Sequence, residues 1–284
     1  MDKIRLGAVI SSPVIPEIWW GLSQHYKEYG IMIEMVYHDS YIPQIQKFLK
    51  NEIDITWNGP LGFNAIRYFC NDMQLNGPMR NTDFDVSSVF LVRSGSDITT
   101  ISDLRGKIVG TGSFDSVESR IVPLYFLYKN GLKHEVDFKE ISFNVNTSNQ
   151  LYGTYNTAEL NAVKALVSGD VDVAVCYENR LKNWISNGDI SEEEIQILTQ
   201  TPRYSHCIFA GNPNMDHDLF NRFFDATLEM VGSNSIIQKA MELENVQSWK
   251  APDIGGFDQI LNGAKLLKIF EKGEYASIEF NKKM

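Results

Sequence analysis

Short polar residues follow four of the predicted strands, at the points where loops lead into predicted helices. A helix N-terminus carries unpaired N–H groups and the positive end of the helix dipole, so it can hold a carboxylate or phosphate group without Lys or Arg. Serine, asparagine and aspartate at such positions either contact a ligand of this kind or only cap their own helix. The candidates are Ser11 and Ser12, Ser40 and Tyr41, Asn58 with Gly59, and, in the loop 113–119, Ser113, Asp115, Ser116, Glu118 and Ser119.

Two aromatic side chains lie beside these loops. Trp57 ends a predicted buried strand, so it either packs in the core or forms a wall of a ligand cleft. Tyr41 begins a predicted helix, where its hydroxyl either faces a ligand or lies on the surface. The sequence leaves both pairs of alternatives open.

The sequence offers little for catalysis or metal binding. The 5 histidines show no HxH or HExxH spacing, and the 3 cysteines form no CxxC pair. His206 and Cys207 are adjacent, but on a predicted strand neighbouring side chains point to opposite faces, which argues against a Cys–His nucleophile. A P-loop, a GxSxG elbow and a Rossmann fingerprint are also missing from the sequence. We therefore expect no catalytic residue, no metal and no cofactor.

The charge balance limits the partners. The 284 residues carry 26 basic and 36 acidic side chains, a net charge of −10, which repels nucleic acid and anionic membranes. The sequence has neither the apolar core of a signal peptide after Met1 nor a run of about 18 apolar residues that could cross a membrane. We expect a monomer without nucleic-acid or membrane partners, cytoplasmic as the sequence is written and extracytoplasmic if a leader was removed.

Predicted strands and helices alternate twice along the chain, which favours an α/β fold with mainly parallel strands. The first run has strands at 3–10, 31–37 and 53–57. The pattern restarts after residue 95, with strands at 107–111, 136–142 and 171–176 and a helix at 117–130 between the first two. The chain therefore contains two successive α/β units.

A weak internal repeat supports two equivalent lobes. Residues 48–57 resemble residues 166–175, since each segment is a helix end, a tight acidic turn, one aspartate and a buried strand. We predict a discontinuous lobe I of residues 1–93 and 200–284, with lobe II, residues 94–199, inserted into it. The connections at 87–92 and 201–209 are β-rich, so they predict two strands that cross between the lobes and act as a hinge.

Four short motifs follow one another between residues 35 and 215: Asp39-Ser40-Tyr41 with the segment 51–59, then 102–107, then 112–123, then 171–174 with Glu178-Asn179. Together they resemble the type II periplasmic-binding-protein fold, and within it the phosphonate-binding proteins of bacterial ABC transporters. The resemblance implies a small anionic or zwitterionic solute, bound in a cleft between two lobes and passed to an ABC transporter permease. By position it adds Asn156, Tyr177, Glu178 and His206 to the candidate ligand contacts.

The chain also departs from the motifs of that family. In the loop that would hold the phosphonate, Ser116 is retained, but Val117, Glu118 and Ser119 replace Thr, Ser and Gly. Glu178 aligns with a carboxylate that accepts the amine of an aminophosphonate. Since no Lys or Arg adjoins Glu178 in the sequence, we expect an ammonium group of a zwitterionic ligand to pair with it.

A second hypothesis is a cytoplasmic enzyme or sensor. Menaquinone-pathway dehydratases and thiamine-pyrimidine synthases share this fold without transporting a solute, so the fold alone does not fix the function. The lack of a leader favours this second class, and the motifs favour the first.

Overall fold

The computed structural model describes residues 1–144 and 153–278 of the chain. These residues form two compact units. Unit 1 comprises Met1–Phe84, Ser205–Leu261 and the described residues from Lys268 onward, and unit 2 comprises Asp85–Tyr204 and Asn262–Leu267.

The strands of the described residues are, in chain order, β1 (Asp2–Val9), β2 (Ile31–His38), β3 (Ile55–Asn58), β4 (Leu75–Asn76), β5 (Met79–Arg80), β6 (Ser88–Arg93), β7 (Ile108–Thr111), β8 (Lys139–Ser142), β9 (Val173–Tyr177), β10 (Ile195–Gln200), β11 (Ile208–Gly211) and β12 (Trp249–Lys250).

The α-helices are α1 (Ile15–Tyr26), α2 (Tyr41–Leu49), α3 (Pro60–Phe69), α4 (Val122–Lys129), α5 (Gly153–Ser168), α6 (Glu178–Asn187), α7 (His217–Leu228), α8 (Ser235–Leu243) and α9 (Asp258–Leu266). A π-helical turn, Val117–Ile121, directly precedes α4. Short 3₁₀ turns cover Lys27–Tyr29, Ile101–Leu104, Glu192–Glu194, Gly255–Phe257, Ile269–Glu271 and Gly273–Ser277.

The main sheet of unit 1 has the strand order β2-β1-β3-β11-β4. β1 runs parallel to β2 and β3, and β11 runs antiparallel to β3 and β4. Helices α1, α7 and α8 contribute their apolar faces to one core cluster with β1 and β11. At Gly21 a side chain is excluded, because a Cβ atom would lie 2.5 Å from Cβ of Ala240 on α8.

The sheet of unit 2 has the order β10-β6-β9-β7-β8, with β7 parallel to β8 and β9. Both faces of this sheet are covered. Ala174 and Cys176 of β9 pack with α5 and α6, whereas Val173 and Val175 pack with α4 on the opposite face. The alternation follows from the two-residue period of a strand, and it explains why β9 is apolar at every one of these positions.

The internal repeat forms the same hydrogen bonds in both units. The carboxylate of Asp54 accepts from the backbone N–H of Arg5 at 2.7 Å, and that of Asp172 accepts from the N–H of Ile108 at 2.9 Å. Each aspartate also donates its own N–H to the carbonyl of the same partner. The tight turn before each aspartate contains a residue with positive φ, Asn51 or Gly169.

The main segment of unit 2 runs from residue 85 to residue 204, beyond the predicted 94–199, and unit 2 also includes Asn262–Leu267. The reason is that β6 and β10 pair with each other antiparallel inside the sheet of unit 2, so β6, which covers most of the β-rich segment 87–92, belongs to that unit. The second β-rich segment ends in β11, which lies in the sheet of unit 1. The predicted helix at 117–130 begins as the π-helical turn, and the predicted strand at 136–142 is shortened to β8.

Candidate functional site

One edge of the unit 1 sheet collects three helix N-termini. β1, β2 and β3 are parallel, so their carboxyl ends lie at the same edge, and α1, α2 and α3 begin directly after them. In none of the three helices does the side chain of the N-cap residue accept a hydrogen bond from the first turn. Their first-turn N–H groups and dipoles favour an anion at this edge.

Ser11 and Ser12 lie at this edge without capping α1. The N-cap residue of α1 is Val14, and within the described residues neither serine hydroxyl has a hydrogen-bond partner. Both side chains are half-buried. Neither the Ser11 nor the Ser12 hydroxyl therefore caps α1.

Tyr41 lies against the start of α3. Its hydroxyl oxygen accepts a hydrogen bond from the backbone N–H of Gly59 at 2.8 Å. A Cβ atom at Gly59 would lie 2.8 Å from that oxygen, and one at Gly62 would lie 2.7 Å from the tyrosine ring. The two glycines thus let Tyr41 approach the N-terminus of α3.

Asn58 and Trp57 are held inside unit 1. The amide of Asn58 is fully buried; it accepts from Gln44 at 3.0 Å and donates to the hydroxyl of Thr56 at 2.9 Å. The Trp57 ring packs at 4.7 Å from Phe209 as part of the core cluster of unit 1. The half-buried Trp57 ring therefore has contacts with the core, and the amide of Asn58 is held by its neighbours.

In unit 2, the loop after β7 brings buried hydroxyls together. The Ser116 hydroxyl oxygen caps the π-helical turn by accepting from the N–H of Ser119 at 3.2 Å. The Ser119 hydroxyl donates to the same oxygen at 2.7 Å, and the Ser116 hydroxyl donates to the Glu118 carboxylate at 3.3 Å. Ser113, in the same loop, is also buried.

Gly112 is required for this packing. A Cβ atom there would lie 2.1 Å from Oγ of Ser119 and 3.1 Å from Cγ of Glu159. Only a glycine lets the loop backbone approach both side chains.

Glu159 and Arg180 are the main residues of this edge that sequence reasoning missed. Glu159 is completely buried on α5, forms an ion pair with Arg180 and accepts from the N–H of Tyr177 at 3.0 Å. Burial raises the pKa of Glu159 to about 7, and the nearby Glu118 carboxylate adds to the shift, while Arg180 opposes it. A signal was present, since position 159 shares the helical spacing of the buried residues 162, 163 and 166.

Glu178 already has a cationic partner within unit 2, contrary to the expectation from its neighbours in the sequence. Its carboxylate accepts from the ammonium of Lys182 at 2.6 Å and from the hydroxyl of Ser87 at 2.5 Å. The hydrogen bonds from Lys182 and Ser87 lower the pKa of Glu178. Lys182 lies one helical turn further along α6, a spacing that places the two side chains on the same face.

The remaining candidates of unit 2 are bonded to their neighbours. Asp115 accepts from the hydroxyl of Tyr155 at 2.8 Å, and Asn156 accepts from the indole N–H of Trp184 at 3.0 Å. The guanidinium of Arg180 lies 5.7 Å from the centre of the Tyr177 ring.

His206 contacts Cys207, although the sequence predicted opposite directions for the two side chains. β11 begins only at Ile208, so the strand rule does not apply, and Nδ1 of His206 lies 3.0 Å from the sulfur. Burial raises the pKa of the Cys207 thiol, which disfavours a thiolate nucleophile.

Among the residues that the structure describes, two clusters contain potential metal ligands. Asp83 lies near His206 and Cys207, and Glu140 lies near His134 and Glu135. In each cluster the buried carboxylate already accepts two hydrogen bonds from an arginine, Arg80 for Asp83 and Arg120 for Glu140. These arginines supply the positive charge that a metal ion would otherwise bring.

In the described part of the chain, no helix combines the length and the apolarity needed to cross a membrane.

The family model described as "ABC transporter, phosphonate, periplasmic substrate-binding protein" matches residues 22–254. The probable ABC transporter phosphite binding protein PhnD1 of Prochlorococcus marinus is 26% identical over 209 residues, which is 69% of this chain and 63% of that protein. The match therefore spans less than two thirds of the curated relative.

Two solved structures share the fold. PhnD1 from Prochlorococcus marinus in complex with methylphosphonate has a TM-score of 0.65 at 17% identity and covers 94% of this chain and 98% of its own. XAC2383 from Xanthomonas citri, bound to ATP, has a TM-score of 0.71 at 14% identity, with 96% and 100% covered.

Proposed function

Because this chain belongs to the family of periplasmic substrate-binding proteins of phosphonate ABC transporters, we propose that it binds a small oxyanion of the phosphonate class and delivers it to an ABC transporter. The family resemblance and the type II periplasmic-binding-protein fold inferred from the sequence motifs are both confirmed. The alternative hypothesis, a cytoplasmic enzyme or sensor on the same fold, is not favoured.

The observation that carries the proposal is the strand-end loop of unit 2. Three serines of the loop are buried, and the hydroxyls of Ser116 and Ser119 are held by hydrogen bonds within it. Backbone N–H donors in such a loop can bind phosphonate oxygens directly. The Ser119 hydroxyl, which here donates to the neutral oxygen of Ser116, would form a stronger hydrogen bond by donating to a charged phosphonate oxygen instead. We assign the anionic group of the solute to this loop.

The strand-end edge of unit 1 supports the same ligand class. It offers the N-termini of α1, α2 and α3 together with the hydroxyls of Ser11 and Ser12, which have no partner among the described residues. We propose that these donors, with Tyr41 beside them, suit unit 1 to the same class of oxyanion.

We propose a solute that lacks an ammonium group. The pairing of Glu178 with Lys182 supports this choice, because the carboxylate already has a cationic partner inside unit 2. Methylphosphonate, the ligand of the PhnD1 structure, is a suitable probe, because it is an anion without an amine.

We further propose that the protein acts outside the cytoplasm, in keeping with the periplasmic character of its family. This is the second of the two locations that the sequence left open.

A thermal-shift panel tests the proposal. Methylphosphonate, phosphite, phosphate and methanesulfonate are each compared with putrescine, a cation of small size. A ligand at 100 times its Kd stabilises the folded protein by about 2.7 kcal/mol, so at least one oxyanion is expected to raise Tm by several degrees. A panel in which only putrescine raises Tm, or no compound does, would contradict the proposal.

A further inference from the structure

One carboxylate of unit 2 joins the two ends of the loop after β7. Glu140 lies on β8, the parallel neighbour of β7. Its Oε1 atom accepts a hydrogen bond from the hydroxyl of Thr111, the last residue of β7, at 2.5 Å. The guanidinium of Arg120, in the π-helical turn, donates to Oε1 at 2.6 Å and to Oε2 at 3.0 Å. The residues on both sides of the segment 112–119 are thus bound to the same carboxylate.

Arg120 also holds the loop at a point between its ends. Its Nη1 atom donates to the carbonyl oxygen of Phe114 at 2.9 Å, while the N–H of Phe114 donates to the side-chain oxygen of Asn144 at 2.7 Å. The Phe114 side chain is 42% exposed, so apolar packing does little to fix its position. The backbone at Phe114 therefore depends on hydrogen bonds, and Arg120 supplies one of them.

Stability alone does not explain this ion pair. The side chains of Arg120 and Glu140 are 13% and 7% exposed, and well-packed apolar residues often stabilise a protein as much as a buried ion pair does. Apolar residues would not bind the hydroxyl of Thr111 or the carbonyl oxygen of Phe114. The ion pair therefore adds a fixed loop geometry that apolar packing would not provide.

We propose that Arg120 and Glu140 are positioning residues of the solute site, which hold the loop 112–119 in its binding conformation without contacting the anion. The identity of the ligand in this inference rests on the proposed function, whereas the holding of the loop does not. A loop that is already ordered loses less conformational freedom when a ligand binds, so the ligand binds more tightly.

Hydrogen exchange, followed by mass spectrometry, tests the holding of the loop without any ligand. The segment 112–121 contains the N–H groups of Ser116 and Ile121, which are both hydrogen-bonded to backbone carbonyls. In Arg120→Ala this segment should exchange at least about tenfold faster than in the wild type, because the loop opens more often. Equal exchange in the two proteins overturns the proposal.

Arg105→Ala is the matched control for both measurements. Arg105 is an exposed arginine of unit 2 that also pairs with a carboxylate, that of Asp137, and donates to a backbone carbonyl, that of Gly131. Removal of Arg105 should leave the exchange of the segment 112–121 unchanged.

Calorimetry with methylphosphonate tests the effect on binding. The affinity should fall at least about tenfold in Arg120→Ala, because the loop must then be ordered by the ligand. It should change less than about twofold in Arg105→Ala, since an exposed ion pair contributes little. Unchanged affinity in Arg120→Ala overturns the positioning role.

Added guanidinium distinguishes the lost hydrogen bonds from a general loosening of the fold. At millimolar concentration, far below the range that unfolds proteins, this planar cation should restore affinity to Arg120→Ala by donating to Glu140 and to Phe114. Methylammonium has the same charge without the planar set of donors, and should restore less. If guanidinium restores no more affinity than methylammonium does, the proposal is overturned.

The double variant Arg120→Ala, Glu140→Gln separates the position of the loop from the charge of Glu140. Without Arg120, the Glu140 carboxylate would repel an anion at the loop, and the second substitution removes this charge. Methylphosphonate should still bind at least about tenfold more weakly than to the wild type, because the loop is not held. Wild-type affinity in the double variant assigns the loss to repulsion and overturns the proposal.

Thr111→Val replaces these variants if they do not fold. Valine has a shape similar to that of threonine but does not donate to Glu140. Loop exchange should rise and methylphosphonate affinity should fall, each by about threefold or more, as expected for one lost hydrogen bond. Wild-type behaviour in both measurements overturns the proposal.

The two proposals fail in different ways. If methylphosphonate does not bind to the wild type, the proposed function fails for that ligand, while hydrogen exchange still decides whether Arg120 holds the loop. If methylphosphonate binds equally well to the wild type and to Arg120→Ala, the proposed function stands and the positioning role is overturned.

Discussion

The hydroxyl of Ser119 lies 2.7 Å from the hydroxyl of Ser116, and both side chains are buried in the loop after β7. Ser116 also caps the π-helical turn that leads into α4. One side chain therefore both shapes the loop and orients the second hydroxyl.

Ser116→Ala should weaken methylphosphonate binding by about 1 to 2 kcal/mol, since it removes one hydrogen-bonding group and releases the hydroxyl of Ser119. Isothermal titration calorimetry measures the change. Ser168→Ala, at the C-terminal end of α5, is the control. This variant should bind methylphosphonate as the wild type does. Wild-type affinity in Ser116→Ala would remove this loop from the site.

Gly112→Ala tests the close packing below the loop. The new Cβ atom would lie 2.1 Å from Oγ of Ser119, so either Ser119 or the backbone must move. We expect a loss of binding of tenfold or more and a Tm lowered by several degrees. Gly255→Ala is the control, because its nearest neighbour would be 3.6 Å away. Unchanged binding in Gly112→Ala would show that the positions of Ser119 and Glu159 do not matter.

Glu178→Gln should change methylphosphonate affinity less than threefold. The Glu178 carboxylate already accepts hydrogen bonds from Lys182 and Ser87, so it does not need a charged group of the ligand as its partner. Calorimetry with methylphosphonate and with aminomethylphosphonate measures both affinities. A loss of about 2 to 4 kcal/mol for the amine-bearing ligand alone would restore the zwitterion hypothesis.

The ion pair of Arg120 with Glu140 should appear in the acid unfolding of the protein. Burial alone would raise the pKa of Glu140, but hydrogen bonds from His134 and Arg120 outweigh burial and lower it to about 2, from a usual value of 4.5. A lowered pKa contributes stability above pH 4.5 that is lost as the pH falls toward 2.

Glu140→Gln should therefore reduce the free energy of unfolding at pH 7 by about 2 to 3 kcal/mol, and its stability should fall less steeply between pH 4.5 and 2. Urea unfolding at a series of pH values measures both effects, with Glu193→Gln as the control. Parallel curves for Glu140→Gln and the wild type across this range would contradict the assigned pKa.

Local patterns in the sequence were enough to predict the repeat and the fold class. The helix end, turn and aspartate at 48–57 and 166–175 form equivalent hydrogen bonds around Asp54 and Asp172. The conformation of each segment depends on its neighbours in the chain and on the adjacent strand. Hydropathy and turn residues in the sequence indicate both of these.

The contacts of the site depend on packing that local patterns do not define. Glu159 lies beside the loop of Ser119 only because α5 packs against β7 and β9. The contact of His206 with Cys207 depended on whether the strand begins before or after them, and strand ends are poorly defined by sequence. The pairing of Lys182 with Glu178 could have been predicted from the sequence, since the two residues are four positions apart on a predicted helix.

The central claim is that this chain binds a phosphonate-class anion, and calorimetric titration of the full chain with methylphosphonate tests it most directly. We predict one ligand per chain and a Kd of about 1 μM or tighter, roughly −8 kcal/mol. The affinity should fall in Ser116→Ala and be retained in Ser168→Ala. Absence of heat exchange with methylphosphonate, phosphite and methanesulfonate alike, at millimolar concentration and several temperatures, would contradict the claim.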